Sequence, residues 1–319
     1  LTPEEYHLIK ECIGIQSRPY YYFKDKYALD LANILLDRYQ EVRIGDLKKS
    51  RFAFLLQKPP IKELVSSTGR NTISKTDLHS MTTLEGIGFF YSISEWGKYV
   101  AHRNNSYYQT SRPGINVVLR LNFDLKHNRM YNSLIKPDKT SHPFAFTGHP
   151  VSVKREYTMC WARLDVSLDT GEVLVEEIQN DWLRKVQRLL RRLEKLEKQN
   201  KDLSRFGILK NTTLDNFRAY YWELLKPYYK LWDEAMLNLV LTFAKEELGI
   251  SQIFYHTFES GKYLKGYEPD WLPPRSIYTR LPKKFGFTET DNAPVFIQKE
   301  KYLRKKLRKK TLNWFSFTI

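Results

Sequence analysis

The segment Val175-Glu176-Glu177-Ile178-Gln179-Asn180-Asp181-Trp182 gathers five acidic or amide side chains at the end of what otherwise reads as a buried strand. Carboxylates taken out of water need a counter-charge, a solvent opening or a chemical task. Further along the chain, His256-Thr257-Phe258-Glu259-Ser260-Gly261-Lys262 closes a second short strand. If the two strands are parallel neighbours, Glu177, Gln179, Asp181, His256, Glu259 and Lys262 line one cleft. Ligand sites favour that end of such strands. Pro273-Pro274-Arg275-Ser276 reads as a rigid loop beside it, with Arg275 placed to meet a phosphate. A structural alternative has Asp181 cap the following helix and Glu177 pair with an arginine.

The elements that must position these residues follow from periodicity. Residues 157–168 and 172–180 form a hairpin turned by Asp169-Thr170-Gly171. Ala162, Leu164, Val166 and Leu168 share one face of its first strand. Apolar residues on both faces of the second strand mark it as central. Helices follow over 182–199 and 214–248, and Gly249 stops the latter before a strand at 251–257. A crossover of this kind makes that strand parallel to 172–180. Upstream, Asn116–Leu125 alternates as a strand before a turn at His127-Asn128, and downstream Ala293–Gln298 reads as the last strand.

The first hundred residues read as mainly helical. Thr2-Pro3-Glu4-Glu5 has the pattern of a capping box leading into a helix through Cys12. Further helices fit 24–39, 46–57 and 61–67. Pro19–Phe23 suits core packing better than base stacking. Residues 61–80 have the outline of two helices around a turn at Gly69, as in a helix-turn-helix. The organisation is α+β: a helical N-terminal region (1–110), a mixed sheet with helices on both faces (111–298), and a basic, aromatic C-terminal tail (299–319).

Two resemblances attach to these segments. Glu177-Ile178-Gln179-Asn180-Asp181-Trp182, then Leu231-Trp232-Asp233-Glu234 opening a helix, then Ile277-Tyr278-Thr279-Arg280-Leu281-Pro282, is similar to a domain of polyvalent proteins of phages and mobile elements. It covers about residues 170–290 and implies a mobile-element or host-conflict context. More loosely, the element order resembles GNAT acyltransferases, with Phe285-Gly286-Phe287 before a final strand. That likeness implies a GNAT-like sheet, acyl-CoA between the two parallel strands, Glu177 or His256 as base and Tyr278 as acid. Residues 181–186, where the likeness places a pyrophosphate loop, contain no glycine. The hairpin also resembles PD-(D/E)xK nucleases, in which Asp165 and Glu177 would hold Mg²⁺. Gln179 stands at the usual lysine position, and no proline precedes Asp165.

His142 and His149 lack metal-ligand spacing, and no serine-protease, P-loop or Rossmann signature is present. Two cysteines, Cys12 and Cys160, exclude a disulfide framework or a cysteine-rich zinc site. No apolar run is long enough for a membrane span, and Leu-Thr-Pro-Glu-Glu is not a signal peptide, so a cytoplasmic protein is expected.

The net charge of +16 has an uneven address. Residues 183–198 carry Arg184, Lys185, Arg188, Arg191, Arg192, Lys195 and Lys198 against two acids. Residues 299–310, with Arg304, Lys305 and Arg308 among eight bases, contain a single acid. The first segment is an amphipathic helix, with Leu183, Val186, Leu189, Leu190, Leu193 and Leu196 on its inner stripe. Such stripes fit a phosphate backbone through counterion release, so nucleic acid is the expected partner. A protein partner for the tail, whose Trp314, Phe315 and Phe317 follow the basic run, is the other expectation.

Overall fold

A computed structural model describes residues 1–14, 16–79, 81, 86–97, 109–138, 142–266 and 273–319. In chain order its strands are β1 (Arg18–Tyr22), β2 (Glu41–Arg43), β3 (Thr72–Ser74), β4 (Ile87–Gly97), β5 (Ile115–Phe123), β6 (Thr158–Ser167), β7 (Glu172–Gln179), β8 (Gln252–His256), β9 (Thr288–Thr290) and β10 (Trp314–Thr318). Eight of them build one mixed sheet in the order β1-β4-β5-β6-β7-β8-β10-β9, while β2 and β3 pair separately. Every neighbouring pair is antiparallel except β7 and β8, which run parallel as the crossover requires. Gly171, at φ 62°, takes the left-handed conformation that closes the β6–β7 hairpin.

The sheet separates one large core from smaller clusters, one of them formed by Trp96, Val118 and Trp161. Its larger core takes Val117, Leu119, Leu121 and Phe123 of β5, Ala162, Leu164 and Val166 of β6, Val173 and Val175 of β7, Ile253 and Tyr255 of β8, and Phe315 and Phe317 of β10. The helices Lys26–Tyr39, Trp182–Lys198 and Trp232–Thr242 cover that face. On the other face Leu174, Phe254 and Trp314 meet Leu264, Phe296, Ile297 and Leu303 from the helices Phe258–Lys265, Val295–Lys299 and Lys301–Lys309. The architecture is α+β with helices on both faces. None of the described helices is long and apolar enough to cross a membrane.

Several elements form as expected. Thr2 caps the helix Pro3–Ile13 through a complete capping box with Glu5. Tyr22 of β1 is core. Others differ. The turn expected at His127-Asn128 is the start of the helix Leu125–Ile135, because Asp124 accepts the His127 N–H at 2.7 Å as its cap. The segment read as a last strand at 293–298 is instead the short helix Val295–Lys299. Glu172 accepts the N–H groups of Val295 (3.1 Å) and Phe296 (3.3 Å) at its start.

The last strand is β10, and it is inserted between β8 and β9. Residues 299–319, expected as a tail, are therefore the helix Lys301–Lys309 and an interior strand that puts Phe315 and Phe317 into the larger core and Trp314 on the opposite face. The N-terminal region likewise gives β1 and β4 to the sheet. Thr72–Ser74, pairing with Glu41–Arg43, intervenes between the two helices expected at 61–80. Ser80 of that reading, and residues 98–108 of the expected helical region, lie outside the described residues.

His127 is fully buried, stacked on Phe123 and hydrogen-bonded to Tyr220 Oη at 3.1 Å. Burial lowers its pKa to about 3. The unfolded chain therefore takes up a proton that the folded one refuses. Stability is full above about pH 6.5 and declines as pH falls toward 3, by on the order of several kcal/mol. His127→Phe should flatten this part of the acid-stability curve, measured by urea unfolding between pH 7 and pH 4.

Candidate functional site

The site begins with a mismatch in strand length. Arg163 of β6 pairs with Glu177 of β7, and Leu164 pairs with Val175, so Glu176 is the extra residue of a bulge. The alternation of side chains restarts there. Val173, Val175 and Ile178 face the larger core, and both Glu176 and Glu177 turn to the opposite face with Leu174. The parallel ladder to β8 ends at the same level, at Val175 and Tyr255. His256 thus arrives beside Glu176 and not beside Glu177.

Glu176 is the centre of a buried network. Its Oε1 accepts the Ser111 N–H at 2.9 Å, and its Oε2 accepts the Ser111 hydroxyl at 3.1 Å. His256 Nε2 lies 3.3 Å and Lys265 Nζ 3.7 Å from the same carboxylate. His256 also contacts Ser111 Oγ through Nε2 and Ser260 Oγ through Nδ1, each at 2.9 Å. Ser111, Glu176, His256 and Ser260 are all buried. Burial disfavours the Glu176 anion, but the hydrogen bond and charge of His256 and the charges of Lys265 and Arg163 outweigh it, holding the carboxyl at about 2. Burial lowers both His256 and Lys265, with Glu176 opposing the shift in each.

The neighbouring carboxylates are held one by one. Glu177 pairs with Arg163, whose guanidinium also donates to Gln109 O at 3.0 Å and lies over the Trp96 and Trp161 rings. Asp165 receives a fork from Arg112 at 2.7 and 2.9 Å. Burial raises its pKa, with Arg112 acting against the shift. Asp165 and Glu177 therefore do not converge as a metal pair; each belongs to its own arginine. Among the described residues no group of three or more His, Cys, Asp or Glu is placed to hold a metal ion.

The remaining residues of the expected cleft fall into two further places. Asp181 pairs with His149 at 2.6 Å and accepts from Gln179 at 2.9 Å. Burial opposes ionisation of Asp181, yet these partners lower its pKa. The helix cap comes from Asn180, whose Oδ1 accepts the Leu183 N–H at 2.9 Å. Glu259, Arg275 and Tyr278 line a cleft of about 530 Å³ beyond the end of β8, with Lys283, Lys310 and Phe315. Arg275 rests on Phe258 and stands 4.0 Å from Glu259. Lys262 lies on the Phe258–Lys265 helix, half-buried. One expected cleft is thus three places: a buried ion cluster, a His149–Asp181 pair and an open cleft.

The basic segments are more uniform. On the Trp182–Lys198 helix, Arg188, Arg191, Arg192, Lys195 and Lys198 are exposed, and Arg192 rests on the Phe206 ring. Arg184 is half-buried, and Lys185 donates to Ala145 O at 2.9 Å. The helix's two acids, Glu194 and Glu197, are engaged by Arg218 from another segment. Exposed Trp222 stacks edgewise on Tyr221, and Tyr221 receives the Gln187 side chain at 3.3 Å. Arg304, Lys305 and Arg308 are exposed on the Lys301–Lys309 helix.

The chain is thus an α+β protein with a polar cluster in the face of a mixed sheet and two exposed basic helices. Compared with protein-family models, with curated proteins and with solved structures, it has no match. An acyl-CoA pyrophosphate, which the GNAT resemblance would place at the start of the Trp182–Lys198 helix, does not fit the residues there. Asn180 takes a first-turn N–H, Trp182 is buried, and the Asp181 carboxylate repels a second anion.

Ser111, Arg112, Arg163 and Lys265 escaped the sequence reading, which placed Glu176 in the acidic segment but not among the cleft residues. The available signal was the pair of adjacent glutamates, which regular alternation cannot bury on one face. Glu176→Gln removes from the buried layer the anion that faces both His256 and Lys265. It should cost about 3–5 kcal/mol, seen as a lower urea midpoint with an unchanged slope.

Proposed function

We propose that this protein binds nucleic acid, with the exposed side of the Trp182–Lys198 helix as its contact surface and without turnover in the β7–β8 cluster. The observation that carries this reading is the diversion of Glu194 and Glu197 to Arg218. It leaves Arg188, Arg191, Lys195 and Lys198 without an ion pair among the described residues. A row of arginines and lysines whose two neighbouring acids are engaged elsewhere is a ready counter-surface for phosphates. Trp222, 51% exposed, stands next to it with Tyr221 and offers a face on which an unpaired base can stack. The likeness to domains of phage and mobile-element polyvalent proteins agrees with a nucleic-acid setting.

Binding is favoured over acyl transfer because the residues that resemble a catalytic set are enclosed. Ser111 Oγ touches His256 Nε2, as a nucleophile touches its base. However, Glu176 approaches that same nitrogen, and Ser260 holds Nδ1, where an orienting carboxylate would act. Tyr278, the expected acid, packs on Tyr255 at the wall of the open cleft.

Titration of labelled single strands and duplexes across salt should give an affinity that falls steeply with ionic strength. Arg188→Glu, Arg191→Glu and Lys195→Glu together should reduce the salt slope by about 2–3 and weaken binding to every sequence alike. Trp222→Ala should weaken single-strand binding by about 1–3 kcal/mol and duplex binding less. A flat salt response would reject the reading. Acetyl-CoA should leave the melting temperature unchanged, and a dose-dependent rise would restore a CoA site.

A further inference from the structure

We infer that the protein carries two nucleic-acid-binding faces, on opposite sides of its sheet, and bridges two nucleic-acid segments. The inference rests on the binding reading above and adds the second surface. The Trp182–Lys198 helix buries Trp182, Leu183, Val186, Leu190 and Leu193 in the larger core. The Lys301–Lys309 helix buries Leu303 against the other core, under Leu174, Phe254 and Trp314. Each helix therefore turns its charges away from the sheet, and away from the other helix.

The second face is as uncompensated as the first. Lys299, Lys301, Arg304, Lys305, Arg308, Lys309 and Lys310 are exposed, and none has an ion pair among the described residues. Glu300 is the only acid in that run. Lys299, Arg304 and Arg308 also line an open groove of about 530 Å³ with Val295, Gln298 and Leu307. The groove has room for a backbone to lie along the cations.

Geometry separates the two faces into independent sites. A helix is about 10 Å across, so two helices with a sheet between them hold their outer charges roughly 30 Å apart. That is several Debye lengths at physiological salt, where the field of one face no longer reaches the other. A straight duplex laid on one helix cannot touch the second. Two segments, or two distant parts of one, can each occupy a face.

The test is a capture assay with the full chain. One short single strand is fixed to beads, protein is added, and a second strand of unrelated sequence carries a fluorophore. The wild type should retain the fluorescent strand. Two variants are compared: Arg188→Glu, Arg191→Glu and Lys195→Glu on the first face, and Arg304→Glu, Lys305→Glu and Arg308→Glu on the second. Each should still bind a strand in solution, yet capture should fall by roughly tenfold or more. Circular dichroism and light scattering of each protein confirm folding and association state.

Capture that survives in either variant overturns the inference, because paired copies of one face then suffice. Wild type that binds strands without capturing a second one also overturns it, leaves the single-face reading standing, and assigns the C-terminal helix to another anionic partner. Wild type that binds no strand at all overturns both readings.

Discussion

An extra residue in β7 sets the chemistry of the sheet's smaller face. Without the bulge at Glu176, strict alternation would send Glu177 toward the larger core with Val173 and Val175. With it, two consecutive glutamates share the side on which Arg163, His256 and Lys265 lie. The bulge also coincides with the end of the β7–β8 ladder, where backbone pairing gives way to side-chain pairing. Ser111 bonds Glu176 through both its amide and its hydroxyl, tying in the segment that leads into β5.

Such a cluster contributes specificity of arrangement more than net stability. Taking carboxylates, a lysine and two arginines out of water costs more than simple pairing returns, unless nearly every group is matched. Here the matching is thorough. Glu176 has the Ser111 donors and two basic neighbours, and Asp165 has a two-pronged guanidinium. A register slip in β7 would strand these charges in an apolar layer, so the cluster penalises wrong pairings of the central strands. Glu234 has a comparable task on the opposite face, accepting Tyr22 Oη at 3.0 Å and binding Lys24 and Lys284. It joins the end of β1 to the helices Trp232–Thr242 and Arg280–Lys284.

Surface charge follows a different rule. Arg218 removes the two acids of the Trp182–Lys198 helix from play, so the basic side is left to solvent or a partner. Exposed cations on an amphipathic helix cost little to keep in water, whereas a phosphate chain releases many counterions when it meets them. Buried and exposed charges therefore divide the labour: the first fix the register of the sheet, and the second are available for recognition.

The sequence determined the local elements and the location of the basicity. The stripe Leu183, Val186, Leu189, Leu190, Leu193 and Leu196 required an amphipathic helix, of which the fold buries Leu183, Val186, Leu190 and Leu193, and Thr2 with Glu5 required a capped one. Composition at 157–180 required a central hairpin, and the stop at Gly249 led to a parallel strand. These depend on neighbours a few residues apart. Tertiary structure decided what depends on distant partners. A one-residue bulge gave His256 to Glu176 in place of Glu177. Arg112 and Arg163 claimed the two carboxylates that resembled a metal pair. The aromatic end read as a tail became β10, because Phe315 and Phe317 enter the larger core while Trp314 enters the opposite one, and only the packed sheet supplies both faces. The opposed placement of the two basic helices is also absent from the linear pattern. It arises from which core each helix's leucines enter, and a hydrophobic stripe names no partner until the sheet lies between them.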